Sequence, residues 1–206
     1  DMNAACTGYL YGLDLADKYI CSREDMKILL IGSETLSARV NWQDRNTCIL
    51  FGDGAGATII SGRADGKGVV DANLRSDGNL WRLLYMHSPE SLNPDIVQEE
   101  REGCYIQMSG RDVFKHAVRA MEDAVQQLLD RNGITIDDID LMIPHQANVR
   151  ILNKLMERLN VPEEKVYINV NKYGNTSAAS IPIALDEANR QGMLKRGALM
   201  LCGSFG

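Results

Sequence analysis

Three side chains in this 206-residue chain carry groups that together make and break thioesters. They are the thiol of Cys6 in Ala5-Cys6-Thr7-Gly8, the imidazole of His145 in Pro144-His145-Gln146-Ala147-Asn148, and the carboxamide of Asn175 in Gly174-Asn175-Thr176-Ser177-Ala178-Ala179-Ser180. A thiol attacks an acyl carbon, and the other two groups can donate hydrogen bonds to the oxygen that gains charge. Small neighbours leave room for a substrate beside Cys6. Its place at the start of an expected helix should favour the thiolate through free N–H groups and the macrodipole. His145 follows an apolar run and a proline, at the carboxyl end of an expected strand, where α/β sheets bind ligands. Asn175 after glycine is ordinary turn chemistry. Its amide does not titrate, however, which also suits a donor to an enolate or oxyanion.

The other candidates read more blandly. Cys21, Cys48, Cys104 and Cys202 lack a helix start or a polar partner nearby in sequence, and His87 and His116 fall in a loop and on a solvated helix face. No histidine or cysteine spacing suits a metal. The run Gly52-Asp53-Gly54-Ala55-Gly56 is followed by Thr58, Ile59 and Ile60, where a dinucleotide fold needs a helix, so close backbone packing explains it better. Arg150, Lys154 and Arg158 recur every fourth residue and form one cationic stripe. That stripe is either a solvated face partly neutralised by Glu157 or a landing strip for an acidic partner.

The elements that must position these residues alternate. Residues 4–20 read as a helix with Asn3 as N-cap, and Lys27 to Gly32 as an apolar strand covered on both faces. Cys48–Phe51 and Ala57–Ile60 read as strands flanking the glycine run. Ser61 to Lys67 marks a seam between segments 1–65 and 66–206. Residues 85–104 read as an extended polar loop. A helix from 110 to 131 opens with a capping box at Ser109 and Asp112 and ends at Asn132-Gly133; its buried stripe is Val113, Phe114, Ala117, Met121, Ala124, Leu128 and Leu129. Strands at 141–143, 166–170 and 198–202 alternate with helices at 148–159 and 177–190, which predicts an α/β layered sandwich.

Composition narrows the function classes. The hydrophobic content of 45% supports a substantial core, and the net charge of −6 offers no basic field for nucleic acid or anionic membrane. No apolar run approaches the roughly 20 residues that span a bilayer. Five scattered cysteines without a CxxC pair fit reduced thiols in the cytoplasm. The chain opens a few residues before its nucleophile, which suggests a piece of a longer protein.

Four motifs then converge on one family. Asn-Ala-Ala-Cys-Thr-Gly, Leu-Phe-Gly-Asp-Gly-Ala-Gly-Ala, Pro-His-Gln-Ala-Asn-Val-Arg-Ile and Gly-Asn-Thr-Ser-Ala-Ala-Ser-Ile-Pro resemble, in this order, the β-ketoacyl-acyl-carrier-protein synthase III enzymes of the thiolase superfamily. The resemblance implies a layered α-β-α-β-α sandwich of two similar halves, the first half incomplete here. It implies that Cys6 takes an acyl group from acyl-coenzyme A. Malonyl-acyl-carrier-protein then decarboxylates and attacks the acyl-Cys6 thioester, while His145 and Asn175 hold the enolate oxygen. By the same resemblance Arg45, Gly110, Phe114 and Asn148 bind coenzyme A and its pantetheine arm, and Phe205 lies near the acyl pocket. Arg150, extended by Lys154 and Arg158, docks the acyl-carrier protein. Where the family usually has an asparagine beside the tunnel, this chain has Arg111. The family's oxyanion hole pairs the Cys6 N–H with that of a glycine just past Gly206. A homodimer, a cytoplasmic location and no permanently bound cofactor or metal complete the expectation.

Three further readings stay open on the residues. Cys, His and Asn in this order also occur in papain-type hydrolases, although the Cys-Gly-Ser-Cys-Trp signature is absent. A condensing enzyme of secondary, polyketide-type metabolism, or an inactive fragment of such an enzyme, would carry the same motifs.

Overall fold

The computed structural model describes residues 1–23, 25–62, 68–86 and 105–206. Most of the seam at 61–67, most of the loop expected over 85–104, His87 and Cys104 lie outside the described residues. Helix α1 spans Gly8–Ser22, preceded by a 3₁₀ turn over Ala5–Thr7 that holds Cys6. Strands β1 (Lys27–Thr35) and β2 (Asp53–Ser61) form an antiparallel pair in which Gly32 faces Gly56. Short strands β3 (Leu84–Met86) and β4 (Ile106–Met108) pair antiparallel ahead of α2 (Gly110–Asn132). Then follow β5 (Leu141–Pro144), α3 (Val149–Leu159), the single turn α4 (Val170–Tyr173), α5 (Ser180–Arg190) and β6 (Met200–Gly203), with β5 and β6 parallel. Among the described residues no helix is long and apolar enough to cross a membrane.

Side-chain alternation along β5 builds the layers. Met142 points into a cluster with Met121, Val125 and Leu129 of α2 and Leu155 and Leu159 of α3. Leu141 and Ile143 point the other way, onto Tyr9 of α1 and Ile181, Ala184 and Ala188 of α5. The far side of α1 and α5 meets the β1–β2 pair, where a side chain on Gly54 or Gly56 would collide with Ile183 or Pro182. Helices α2 and α3 thus cover one face of β5–β6, and α1 and α5 fill the space between the two sheets.

Several local expectations change. The β1 run is apolar throughout, yet alternate residues stay open: Leu29, Ile31 and Ile59 are 59, 57 and 74% exposed on one shared face. The glycine run is itself strand, because the helix layer needs bare backbone there. Residues 48–50 are turn rather than strand; Asp44 accepts the N–H groups of Thr47 and Cys48 and winds the segment up. The strand expected at Val166–Val170 shrinks to one bridge between Met142 and Val166. Beyond it the buried Gln146 side chain replaces a neighbouring strand, donating to Pro144 O and Tyr167 O and accepting from the N–H groups of Asn169 and Val170. Ser109 is the N-cap of α2 without a side-chain capping bond, and Gly133 closes that helix in the left-handed region at φ 64°. The buried stripe of α2 is Ala117, Val118, Met121, Val125 and Leu129, rotated slightly from the one expected.

Two substitutions test this packing. A β-carbon on Gly32 would lie 2.5 Å from the backbone oxygen of Ala178, so Gly32→Ala should destabilise by about 1–3 kcal/mol in chemical unfolding; an unchanged midpoint would contradict the close approach. Glu187 gathers Asn169, Tyr173 and Lys172 against α5. Burial raises its pKa, but those partners outweigh burial and bring it down to about 2. The depressed value means its stabilisation is full above the unfolded carboxyl's range near pH 4.3 and fades as pH falls toward 2. Glu187→Gln should flatten the acid limb of a stability–pH curve.

Candidate active site

The three chemically distinctive side chains arrive from three different places. Cys6 is held in the 3₁₀ turn before α1, with Ala5 beside it in the left-handed region at φ 46°. Such a conformation is strained for any residue but glycine and fixes the direction in which the next side chain leaves the backbone. His145 follows the end of β5, its N–H donating to Gly203 O on the neighbouring β6 at 2.7 Å. Asn175 sits in the turn between α4 and α5, tied on both sides to the segment before β2: Asn175 N donates to Leu50 O and Gly52 N donates to Asn175 O. All three line one pocket, together with Leu50, Phe51, Leu84, Met108, Val113, Ala147, Asn148, Ile151 and Phe205.

The pocket's distinctive groups are buried and neutral. Cys6 is 7% exposed and His145 1%. Burial pushes the thiol up to about 11; a hydrogen bond with Ser177 opposes that, and the Glu34 carboxylate adds to it. The thiolate expected from the helix start is therefore not the resting form, because desolvation outweighs the half-charge of a helix end. Burial likewise takes the imidazole down to about 3, so His145 is uncharged at neutral pH. Its Nδ1 lies 2.6 Å from Ser180 Oγ. The backbone N–H of Gln146 also points at that oxygen, at 3.4 Å; a Ser180 hydroxyl that donates to Nδ1 places the imidazole proton on Nε2. Asn175 Oδ1 accepts from Ser177 N at 2.8 Å, so its amide group is oriented with the NH₂ available as a donor. Two neutral donors and a thiol can serve an acyl group that passes through an anion.

The remaining expected residues spread outward. Asn148 lines the pocket, although its Oδ1 also caps α3 by accepting from Ile151 N. Phe205 lies edge-on to His145, with ring centroids 5.7 Å apart. Phe114 packs behind the wall, against the cluster of Ala117, Val118, Ala147 and Ile151. Gly110 and Arg111 are exposed at the start of α2, and Arg45 is exposed on the turn before β2; none of the three lines the pocket. On α3, Lys154 pairs with Glu157 and Arg158 with Glu122, both at 2.6 Å. Among the described residues no ion pair engages Arg150. The segment after β6 also closes on Cys6. Ser204 Oγ donates to Cys6 O at 2.9 Å, and a β-carbon on Gly206 would stand 2.7 Å from Cys6 N. Sequence reasoning passed over Ser177, Ser180 and Glu34. The two serines were visible inside the Asn175 motif, and Glu34 falls on the inward register of β1, where a carboxylate is out of place.

Comparison with known proteins bears on the same residues. Residues 1–78 match the family model for 3-oxoacyl-(acyl-carrier-protein) synthase III, and residues 129–206 match the model for its C-terminal part. The beta-ketoacyl-(acyl-carrier-protein) synthase III of Desulfotalea psychrophila is 51% identical over 206 residues, covering 100% of this chain and 64% of its own length. The crystal structure of the Aquifex aeolicus synthase III superposes with a TM-score of 0.90 at 46% identity, over 100% of this chain and 62% of that one. The Thermus thermophilus enzyme gives 0.90 at 40% identity, over 98% and 62%. This chain therefore shares their mixed α/β, thiolase-like fold and spans a little under two thirds of their length.

A neutral, Nε2-protonated His145 has a spectroscopic signature. Nitrogen chemical shifts should show that tautomer unchanged from pH 8 to about pH 5, and a ring that protonates near pH 6.5 would contradict the burial argument. Because the folded pKa is depressed below the unfolded one, stability from this residue should fall as pH drops from about 6.5 toward 3. Ser180→Ala should mix the two tautomers in the same spectra, because it removes one hydrogen bond to Nδ1.

Proposed function

This chain belongs to the 3-oxoacyl-(acyl-carrier-protein) synthase III family, and from that membership we propose that it carries the acyl-transfer and condensation machinery of such an enzyme. Cys6 accepts an acyl group from acyl-coenzyme A. Malonyl-acyl-carrier-protein then enters and loses carbon dioxide, and its carbanion attacks the acyl-Cys6 thioester, the step that initiates fatty-acid synthesis. The observation that supports this most is the single pocket shared by Cys6, His145 and Asn175. An enolate oxygen placed between His145 Nε2 and the Asn175 amide receives two hydrogen bonds from groups that stay neutral throughout. In a site closed to water such bonds gain strength and need no reorganisation as charge develops.

In this reading Arg45, Gly110 and Phe114 flank the approach of the coenzyme A thioester, and Asn148 meets the pantetheine arm at the pocket itself. Arg150 docks the acidic carrier protein. Lys154 and Arg158 lend less to that contact than their spacing suggests, since each already faces a carboxylate. Residues 1–65 belong to the first of two similar thiolase-like halves and residues 66–206 to the second, within a five-layered α-β-α-β-α sandwich. The open apolar face of Leu29, Ile31 and Ile59 is where further chain of that first half, or a second subunit of a homodimer, would pack. The enzyme works in the cytoplasm, where its thiols stay reduced.

In the complete protein, radiolabelled acetyl-coenzyme A should label wild type but not Cys6→Ala; equal labelling of both would overturn the reading. His145→Ala and Asn175→Ala should still become acylated, while malonyl decarboxylation falls by about 10²–10³ for each lost donor.

A further inference from the structure

Attack by Cys6 requires that its proton go somewhere, and His145 is a poor destination: it is buried, and Ser180 already occupies Nδ1. A second route runs through Ser177. The turn that holds Cys6 packs against the turn Ser177–Ala179, and the Ser177 hydroxyl is near enough to the thiol to draw its pKa down. Its Oγ also donates to Glu34 Oε1 at 3.0 Å, and the N–H of Ala178 points at the same oxygen at 3.4 Å. Glu34 comes from β1 and Ser177 from the turn before α5, 143 residues apart, so the contact is a product of the tertiary fold. Ser177 is 5% exposed and sits in the left-handed region at φ 48°, a conformation that serine adopts only under constraint. Glu34 occupies an inward register of β1, where its neighbours on the same face are Leu30 and Gly32.

We propose that Ser177 and Glu34 form a proton relay that accepts the Cys6 thiol proton during acyl transfer. The relay rests on the acyl-transfer reading above. As the sulfur bonds to the acyl carbon, its proton passes to Ser177 Oγ and the serine proton passes to the Glu34 carboxylate. The bond from the acyl carbon to the coenzyme's sulfur breaks, and the departing thiolate takes up the proton that Glu34 releases. One S–H is exchanged for another, with no net change in charge. Glu34 then has two opposed effects. At rest its negative charge disfavours the thiolate, and during attack it receives the proton.

Those effects separate experimentally in the complete protein. Two rates are measured at pH 7: alkylation of Cys6 by iodoacetamide, followed by mass spectrometry, and transfer of labelled acetyl groups from acetyl-coenzyme A. Glu34→Gln should speed alkylation, because a nearby anion is gone, and slow acetyl transfer by about 10²-fold, the usual worth of a general base. Glu34→Asp should recover part of the transfer rate. Ser177→Gly removes the hydroxyl, keeps the N–H that Asn175 accepts and suits the left-handed backbone. It should fold at least as stably as wild type and transfer at least about tenfold more slowly. Transfer at or above the wild-type rate in Glu34→Gln or Ser177→Gly overturns the relay. So does a parallel fall of both rates in Glu34→Gln that Glu34→Asp does not recover, which would mark a structural role. If wild type itself takes no label at Cys6, the acyl-transfer reading fails and the relay with it. Labelled wild type with undiminished variants sinks the relay alone.

Discussion

One turn, residues 174–180, serves all three reactive side chains, and it can do so because it lies directly on bare backbone. It contains Asn175 itself, Ser177 beside the Cys6 thiol and Ser180 against His145. At its start Gly52 passes so close to Tyr173 O that no side chain could fit between them, and further along Gly32 lies nearly as close to Ala178 O. Ordinary side chains at either position would push the turn off the β1–β2 pair by about an ångström. A displacement of that size is enough to separate groups that act within hydrogen-bond distance of one oxygen. The close-packed glycines at 32 and 52 are therefore as necessary to the site's geometry as the three side chains that line it.

Burial sets the electrostatic character of the pocket. A thiol held near 11 and an imidazole held near 3 do not form the ion pair common in cysteine hydrolases. Both start uncharged, and the imidazole stays so. This suits a reaction in which the oxygen, not the histidine, carries the transient charge. It also separates the chain from a papain-type mechanism on physical grounds, since a thiolate–imidazolium pair needs an environment that favours both charges.

Much of this was legible in the residues. Cys6, His145 and Asn175 stood out because each sits among small or turn-forming neighbours at the edge of an element. The helices over 110–132 and 149–159 followed from apolar spacing. What escaped the sequence depended on contacts far apart in the chain. Val166–Val170 has strand composition, but the Gln146 side chain intercepts its hydrogen bonds, which no local pattern reveals. Residues 48–50 are as apolar as a strand and are wound into a turn by Asp44. The thiolate expectation failed because a helix-end dipole was weighed without the burial that the surrounding layers impose. Glu34 could be recognised only once the register of β1 showed which of its residues face inward.

The proposed chemistry requires one substrate oxygen to sit between the imidazole and the amide while Cys6 carries the acyl group. A crystal structure of the complete protein, acylated and bound to a malonyl thioester analogue that cannot lose carbon dioxide, tests it most directly. The expected result is an acyl group on Cys6 Sγ and a single analogue oxygen within about 3 Å of both His145 Nε2 and Asn175 Nδ2. An acyl group on another residue, or an analogue oxygen that meets neither donor, would contradict it.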